Sequence, residues 1–303
     1  MPKLKTAVAF IVYKRPETTR RVFEAIRQAR PSKLYLIADG PETSDLATAC
    51  AETRRIIEDG INWECQLHKI MAEENLGCAR RVQSGLDEVF KYERKAIILE
   101  DDTLPDLSFF KFCEELLEQY EDDERVAHIS GCNLHPKAFQ SDASYCFSSI
   151  INIWGWATWR RSWKHYDLLM RSWRNQNKDS FLKKWCLSKK HRLGTLEMFD
   201  LHCDNKKPWS WDYQWNYSCW SNDGLSIVPR VNLVSNLGIG PDASNTKIKK
   251  QIHQFPKELS SIKKIVHPTE VSRDKSFDKD YFKRMSPNFI RKAKNFIKSI
   301  CGN

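Results

Sequence analysis

Apolar residues in the first 130 positions alternate between two textures. Short, nearly continuous runs occur at 7–13, 34–38, 63–70, 96–99 and 126–130, and such runs read as strands buried on both faces. Between them, residues 17–29, 46–57, 76–92 and 108–120 carry apolar positions at helical spacing, as in Val22, Phe23, Ile26 and Ala29, or Val82, Leu86, Val89 and Phe90. Pro16, Asp39-Gly40-Pro41 and Pro105 punctuate the boundaries. This β-α-β-α alternation predicts an α/β fold with a mostly parallel central sheet flanked by helices.

Beyond Gly131 the pattern changes. Of eleven tryptophans, ten lie between Trp154 and Trp220. A strand resumes at 231–237, with Gly238 and Gly240 behind it. Past Thr246 the chain is lysine-rich and broken by Pro256, Pro268 and Pro287. At 289–300 apolar Phe289, Ala293, Phe296, Ile297 and Ile300 fall opposite Arg291, Lys292, Lys294 and Lys298, which predicts a basic amphipathic helix. The expected division is a catalytic domain over 1–246, with a nucleotide-binding half at 1–131 and a Trp-rich acceptor half at 132–246, followed by a basic extension at 247–303.

Charge sharpens this division. The net charge of the 303 residues is +10, and residues 247–303 hold all of it, with 15 Lys/Arg against 5 Asp/Glu. The body is neutral, so a nucleic-acid groove built into the fold is not expected. Ten scattered cysteines show no zinc-type spacing, and no apolar run approaches the length of a membrane span. A cytoplasmic protein is the expectation, peripheral at the inner face of a membrane if the terminal helix lies in an anionic interface. A solvated helix docked on the body is the alternative.

The strand at 96–99 runs straight into Glu100, Asp101 and Asp102. In open α/β sheets, ligands bind outside the carboxyl ends of the strands. Three adjacent anions at that rim suit a hard divalent ion shared with a substrate phosphate, Mn²⁺ or Mg²⁺. An acidic turn capping the next helix is the plainer alternative. Other predicted strand ends carry Tyr13-Lys14-Arg15-Pro16-Glu17 and Asp39-Gly40, and Asn75-Leu-Gly-Cys-Ala-Arg80-Arg81 opens the helix before the acidic strand. No glycine-rich phosphate loop, zinc-protease motif or nucleophile elbow is present.

Taken together, Tyr-x-Arg-Pro-Glu, Ala-Asp-Gly, Asn-Leu-Gly-x-x-x-Arg and Leu-Glu-Asp-Asp-x-x-Pro resemble nucleotide-sugar glycosyltransferases of the GT-A fold, in a bacterial group akin to the family-2 transferases. Glu-Asp-Asp is similar to the acidic motif of inverting N-acetylglucosaminyltransferases that act on N-glycans. Trp211-Asp212-Tyr-Gln-Trp215 resembles the segment that carries their catalytic base, and Gly155-Trp156 is similar to the Gly-Trp before it. The resemblance implies that Asp39 meets the nucleobase or ribose, with Arg15 and Asn75 also on the donor. It puts Arg80 or Arg81 near the diphosphate, Glu100 and Asp101 on ribose and sugar, Asp102 on the metal, and Asp212 as the base. The acceptor would be a glycan or lipid-linked saccharide, against Trp154, Trp156 and Trp211, and a UDP-sugar is the favoured donor. Asn245 stands where many such enzymes carry a histidine metal ligand, with Asp242 or water as the substitute.

Two rivals share some of these features. A sugar-nucleotide nucleotidyltransferase would keep the fold and the acidic site but should carry a glycine-rich loop after the first strand. A non-catalytic carbohydrate-binding protein would use the tryptophans yet have no need of three consecutive acids.

Overall fold

A computed structural model describes residues 3–238 and 258–285. The chain opens with β1 (Ala7–Val12), α1 (Pro16–Ala29), β2 (Lys33–Ala38), α2 (Ala47–Gly60), β3 (Gln66–Met71), α3 (Cys78–Tyr92) and β4 (Lys95–Glu100). There follow β5 (Thr103–Pro105), α4 (Leu107–Gln119), β6 (Val126–Ser130), β7 (Tyr145–Ser148), β8 (Trp156–Trp159) and α5 (Arg160–Trp163). The remainder comprises α6 (Lys178–Trp185), α7 (Lys189–His202), α8 (Asp212–Ser221), β9 (Leu225–Pro229), β10 (Val234–Asn236) and α9 (Lys275–Met285).

The eight-stranded sheet has the order β3-β2-β1-β4-β8-β6-β9-β7. Strands β1 to β4 are mutually parallel, and β6 and β9 share their direction, while β8 and β7 run antiparallel to their neighbours. The α/β class with a mostly parallel sheet flanked by helices is therefore observed. β7, β8 and β9 lie beyond Gly131, where the sequence pattern did not mark them. The expected strand at 231–237 shortens to β10, which pairs antiparallel with β5, so the chain continues as a short strand through Pro105 rather than stopping there. β10 can accept Pro105 because an edge strand asks few hydrogen bonds of it.

Strand alternation divides the core cleanly. Val8, Phe10, Val12, Leu34, Leu36, Ile97 and Leu99 face α1 and α4, packing on Val22, Phe23, Ile26, Phe109, Phe112 and Leu116. Ala7, Ala9, Ile11, Tyr35, Ile37, Ala96 and Ile98 face the other way, onto Val82, Leu86 and Val89 of α3 and onto Trp156, Trp163, Trp211 and Trp215. With side chains buried on both faces, each strand must be apolar at successive positions, which is the pattern the sequence shows. A third cluster of Trp173, Trp185, Phe199, Tyr217 and Trp220 holds α6, α7 and α8 together. Trp173, Trp185 and Trp220 thus form the core of a helical layer, whereas Trp163 packs against the sheet.

Caps set several helix starts. Asp106 accepts from the Ser108 amide at α4, Asn177 from Ser180 at α6, and Ser188 from His191 at α7. Pro16 occupies the first turn of α1, where its missing N–H costs nothing. Residues 258–285 strap the far end of the sheet. Asp274 N–H donates to the Phe147 carbonyl, Ser144 N–H to that of Val266, and Phe277 and Tyr281 of α9 are buried. Arg273 pairs with fully buried Asp278, which also accepts from Ser148 and Ser149. The expected helix at 289–300, with Gly240, Asp242 and Asn245, lies outside the described residues. Among the described residues no helix is long and apolar enough to cross a membrane.

Candidate active site

The carboxyl ends of β1, β2 and β4 meet at one rim. β1 pairs with both β2 and β4 in parallel register, so residues 13–15, Asp39 and residues 100–102 emerge side by side. Arg15 Nη1 lies 3.0 Å from Asp101 Oδ1 and 2.6 Å from Asp102 Oδ2, a single guanidinium between two carboxylates. The Tyr13 amide donates to Asp101 Oδ2 at 3.2 Å, so both oxygens of Asp101 are engaged. The chain after β10 crosses directly above, since the Leu237 amide donates to the Asp102 carbonyl at 2.7 Å. A Cβ at Gly238 would overlap the Asp102 carboxylate, so a side chain there would have to displace it.

These acids carry more negative charge than Arg15 neutralises. Burial, followed by Asp102 and Asp101, pushes Glu100 up to about 8. Burial and Asp102 push Asp101 up to about 7 against the opposing pull of Arg15 and the Tyr13 amide. The same two aspartates raise Arg15 although desolvation works the other way.

Asp212 completes the constellation. It occupies the first turn of α8, with Trp211 at the cap position. Its charge adds to the field on Glu100. Cys78, the first residue of α3, locates the group further. Although Cys78 presents surface to solvent, protein crowds its thiol, whose pKa is raised by desolvation and then by Glu100, Asp212, Asp102 and Asp101 in turn. Tyr166 is likewise raised by burial, Asp212 and Cys78, and its hydroxyl donates to the Trp211 carbonyl. Glu100, Asp101, Asp102 and Asp212 thus all lie close enough to the start of α3 to act on the Cys78 thiol. Cys78 and Tyr166 lacked any motif to mark them in the sequence.

Other expected site residues are engaged by protein groups or buried. Asp39 is 4% exposed, and its carboxylate is filled from within. Oδ1 accepts from the amides of Gly40 at 3.0 Å and Leu76 at 2.9 Å, and Oδ2 from Gly77 at 3.0 Å and Asn75 Nδ2 at 3.3 Å. Asp39 and Asn75 thus clasp the loop before α3. Arg81 is buried under α3 with Nε unpaired, close to Gly85, and burial lowers its pKa; it does not point out toward a diphosphate. Arg80 is exposed and donates to the Lys206 carbonyl at 3.0 Å, which ties α3 to the connector before α8.

Trp156 and Trp211 are also displaced from the acceptor wall the sequence assigned them. They are 0% and 2% exposed and stack on each other at 5.3 Å. Trp156 stacks in addition on His128, a buried imidazole held neutral near 4 by desolvation. His128 Nε2 donates to the Asn152 carbonyl and Nδ1 accepts from Trp215 Nε1, leaving no role for a second proton. Large aromatics here build the layer beneath the site. Trp154 is half-buried at the margin of the sheet. A recess of about 110 Å³ lined by Arg161, Lys164 and His165 lies at the opposite, amino end of the parallel strands.

No family profile matches the chain, and no curated protein matches it. Solved structures do. One is S. aureus TarS 1–349, 11% identical, covering 54% of this chain and 49% of that one at a TM-score of 0.39. The match thus spans about half the length of that neighbour. Another is CMP:2-keto-3-deoxy-manno-octonic acid synthetase complexed with CTP, 13% identical over 59% of this chain and 86% of that one, TM-score 0.34. A third is a putative glucose-1-phosphate thymidylyltransferase from Bacillus anthracis in complex with sucrose, 11% identical over 59% and 84%, TM-score 0.36. Likeness at these scores assigns neither family nor activity, and the α/β class stands on the sheet described above.

Proposed function

We propose that this chain is a glycosyltransferase of GT-A type that moves a sugar from a nucleotide donor, a UDP-sugar in the first instance, to a glycan or lipid-linked saccharide with inversion. The observation that carries this reading is the nearness of Asp212 to the acidic end of β4, where its charge acts on Glu100 and, with Glu100, Asp101 and Asp102, on Cys78. Inversion needs one carboxylate opposite the leaving group to take the proton of the acceptor hydroxyl. Asp212 takes that proton. The acceptor oxygen then bonds to the anomeric carbon while the bond to the diphosphate breaks, its electron pair leaving with the nucleotide. Arg15, held at the mouth between Asp101 and Asp102, places a cation next to the leaving diphosphate.

The donor set fits Mn²⁺ or Mg²⁺. It is all oxygen, and beyond the larger effect of burial the neighbouring carboxylates add to the lift of Glu100 and Asp101. Asp102 would hold the ion, which when bound supplies Lewis-acid stabilisation of the departing diphosphate. Among the described residues no three His, Cys, Asp or Glu side chains form a cage for a metal. A shell completed by phosphate and water is in keeping with that.

A nucleotidyltransferase is the less supported reading, because only residues 13–15 separate β1 from α1 and none is glycine. Turnover of radiolabelled UDP- and GDP-sugars, with and without Mn²⁺, tests the proposal. Asp102→Ala is expected to abolish metal-dependent turnover in a folded protein, and Asp212→Asn to remove transfer while donor binding persists. Full transfer by Asp212→Asn would place the base elsewhere.

A further inference from the structure

Behind Asp212, away from the acidic end of β4, the connector between α7 and α8 brings a buried histidine into line. Ser210 Oγ donates to Asp212 Oδ1 at 2.5 Å and lies 3.4 Å from His202 Nε2. The opposite ring nitrogen, Nδ1, is 2.8 Å from the Met198 carbonyl oxygen. A carbonyl only accepts, so Nδ1 carries the proton and the neutral ring turns its Nε2 lone pair toward Ser210. His202 is fully buried, and its ring is fixed against Trp209 at 4.4 Å and Tyr213 at 4.7 Å between centroids. Ser210 therefore has one proton and two acceptors, Asp212 on one side and His202 on the other.

We infer that Ser210 and His202 form a proton relay behind Asp212, which receives the proton that Asp212 takes from the acceptor hydroxyl. The inference rests on the reading of Asp212 as the base. Once Asp212 is protonated, it donates that proton to Ser210 Oγ, and the serine passes its own proton to His202 Nε2. Asp212 is left ionised and His202 becomes an imidazolium hydrogen-bonded to Ser210 and Met198. The reverse transfers return the proton when the product leaves. His202 and Ser210 act through Asp212 and are positioning residues. The separation of 3.4 Å is longer than a made hydrogen bond. Catalytic contacts of this kind commonly tighten only with substrate in place.

The local field suits the task. Burial holds the His202 pKa down, so the ring rests neutral, while the Met198 carbonyl and the Asp212 charge favour protonation. Asp212 is the charged group acting on His202 among the described residues. A serine serving only to order the connector would have no use for a buried lone pair on its other side.

Two measurements on the full chain test the relay. In the first, His202→Gln, Ser210→Ala, Ser210→Thr and Asp212→Asn are assayed with the UDP- or GDP-sugar that turns over fastest. His202→Gln and Ser210→Ala should each lower kcat by about 10- to 100-fold at unchanged donor KM. Ser210→Thr keeps the hydroxyl and should restore most of the rate, and the double variant should be no slower than either single one. Wild-type kcat in both single variants, with Asp212→Asn inactive, overturns the relay and leaves the base. Activity in Asp212→Asn overturns the base and the relay with it. The second measurement needs no donor. Imidazole ¹⁵N spectra of histidine-labelled protein should show His202 as the Nδ1–H tautomer, with a protonation midpoint that falls in Asp212→Asn. An Nε2–H tautomer, or a midpoint indifferent to Asp212→Asn, overturns the relay whatever the substrate.

Discussion

Replacing Glu100 with glutamine should stabilise the protein in alkaline solution and leave it unchanged in acid. Burial and the neighbouring Asp102 and Asp101 raise this carboxyl from 4.5 to about 8. A group whose folded pKa is raised above its unfolded value binds its proton more tightly in the folded chain. Below pH 4.5 both states are protonated and no penalty exists; between 4.5 and about 8 every rise in pH favours the unfolded state. Above that window the penalty is complete. At about 1.4 kcal/mol per pH unit the interval caps it at about 5 kcal/mol. Asp101 is raised as well, and the two titrate together, so a single substitution recovers only part, about 2 kcal/mol. For a chain of 303 residues that is about 3 °C in melting temperature. Scanning calorimetry at pH 4 and pH 9 therefore should show coincident melting for wild type and Glu100→Gln at pH 4 and the variant melting higher at pH 9. Equal gaps at both pH values, or a less stable variant at pH 9, would refute the claim that surplus charge burdens this strand end. Asp101→Asn is a poorer probe, because it also removes the contacts to Arg15 and the Tyr13 amide.

Three further outcomes follow from the same geometry. Asp39→Ala strips the acceptor from three backbone amides and Asn75, and at about 1 kcal/mol per lost contact should cost about 2–4 kcal/mol in urea unfolding; a change below about 0.5 kcal/mol would show that the loop before α3 does not depend on it. Gly238→Ala forces its Cβ onto the Asp102 carboxylate, so sugar-nucleotide turnover should fall at least about tenfold with the melting temperature little altered. Asp278→Ala leaves the Arg273 guanidinium uncompensated in a buried site, which should cost about 3–5 kcal/mol and open residues 258–285 to limited proteolysis.

The first four strands and their helices were legible because β1, β2 and β4 are buried on both faces and each helix on one. Both conditions write themselves into apolar spacing. β3 shows the limit, since it lies at the sheet edge with exposed positions, and its start is at Gln66 rather than 63. In the tryptophan-rich half spacing conveys less. Trp156 and Trp159 are both buried although they belong to one short strand, because β8 is sandwiched between α4 on one face and α3 and α5 on the other. Aromatic bulk that reads as a sugar platform therefore also reads as core, and the burial of Trp156 and Trp211 decides between them.

For the site, residue type was legible and partnership was not. Carboxylates at 100–102 and 212 stand out by position alone, which is what prompts the expectation of proton and cation chemistry. Asp39 carries the same chemical signal, yet its oxygens are filled by amides that lie near it only because α3 folds back beside β2. Likewise, nothing in Tyr13-Lys14-Arg15 states that Arg15 meets Asp101 and Asp102, more than 80 residues later, until β1 and β4 are paired. That pairing changes what the acidic strand end is. Asp101 and Asp102 already share a guanidinium, so a donor diphosphate approaching them meets Arg15 first. On the proposed function, an anionic ligand would draw Arg15 outward and so bare Asp102 for a divalent ion. Nucleotide and metal should consequently bind with mutual help, Mn²⁺ tightening UDP binding in calorimetry and Arg15→Ala weakening that coupling. Independent binding of the two would mean that Arg15 stays where it is.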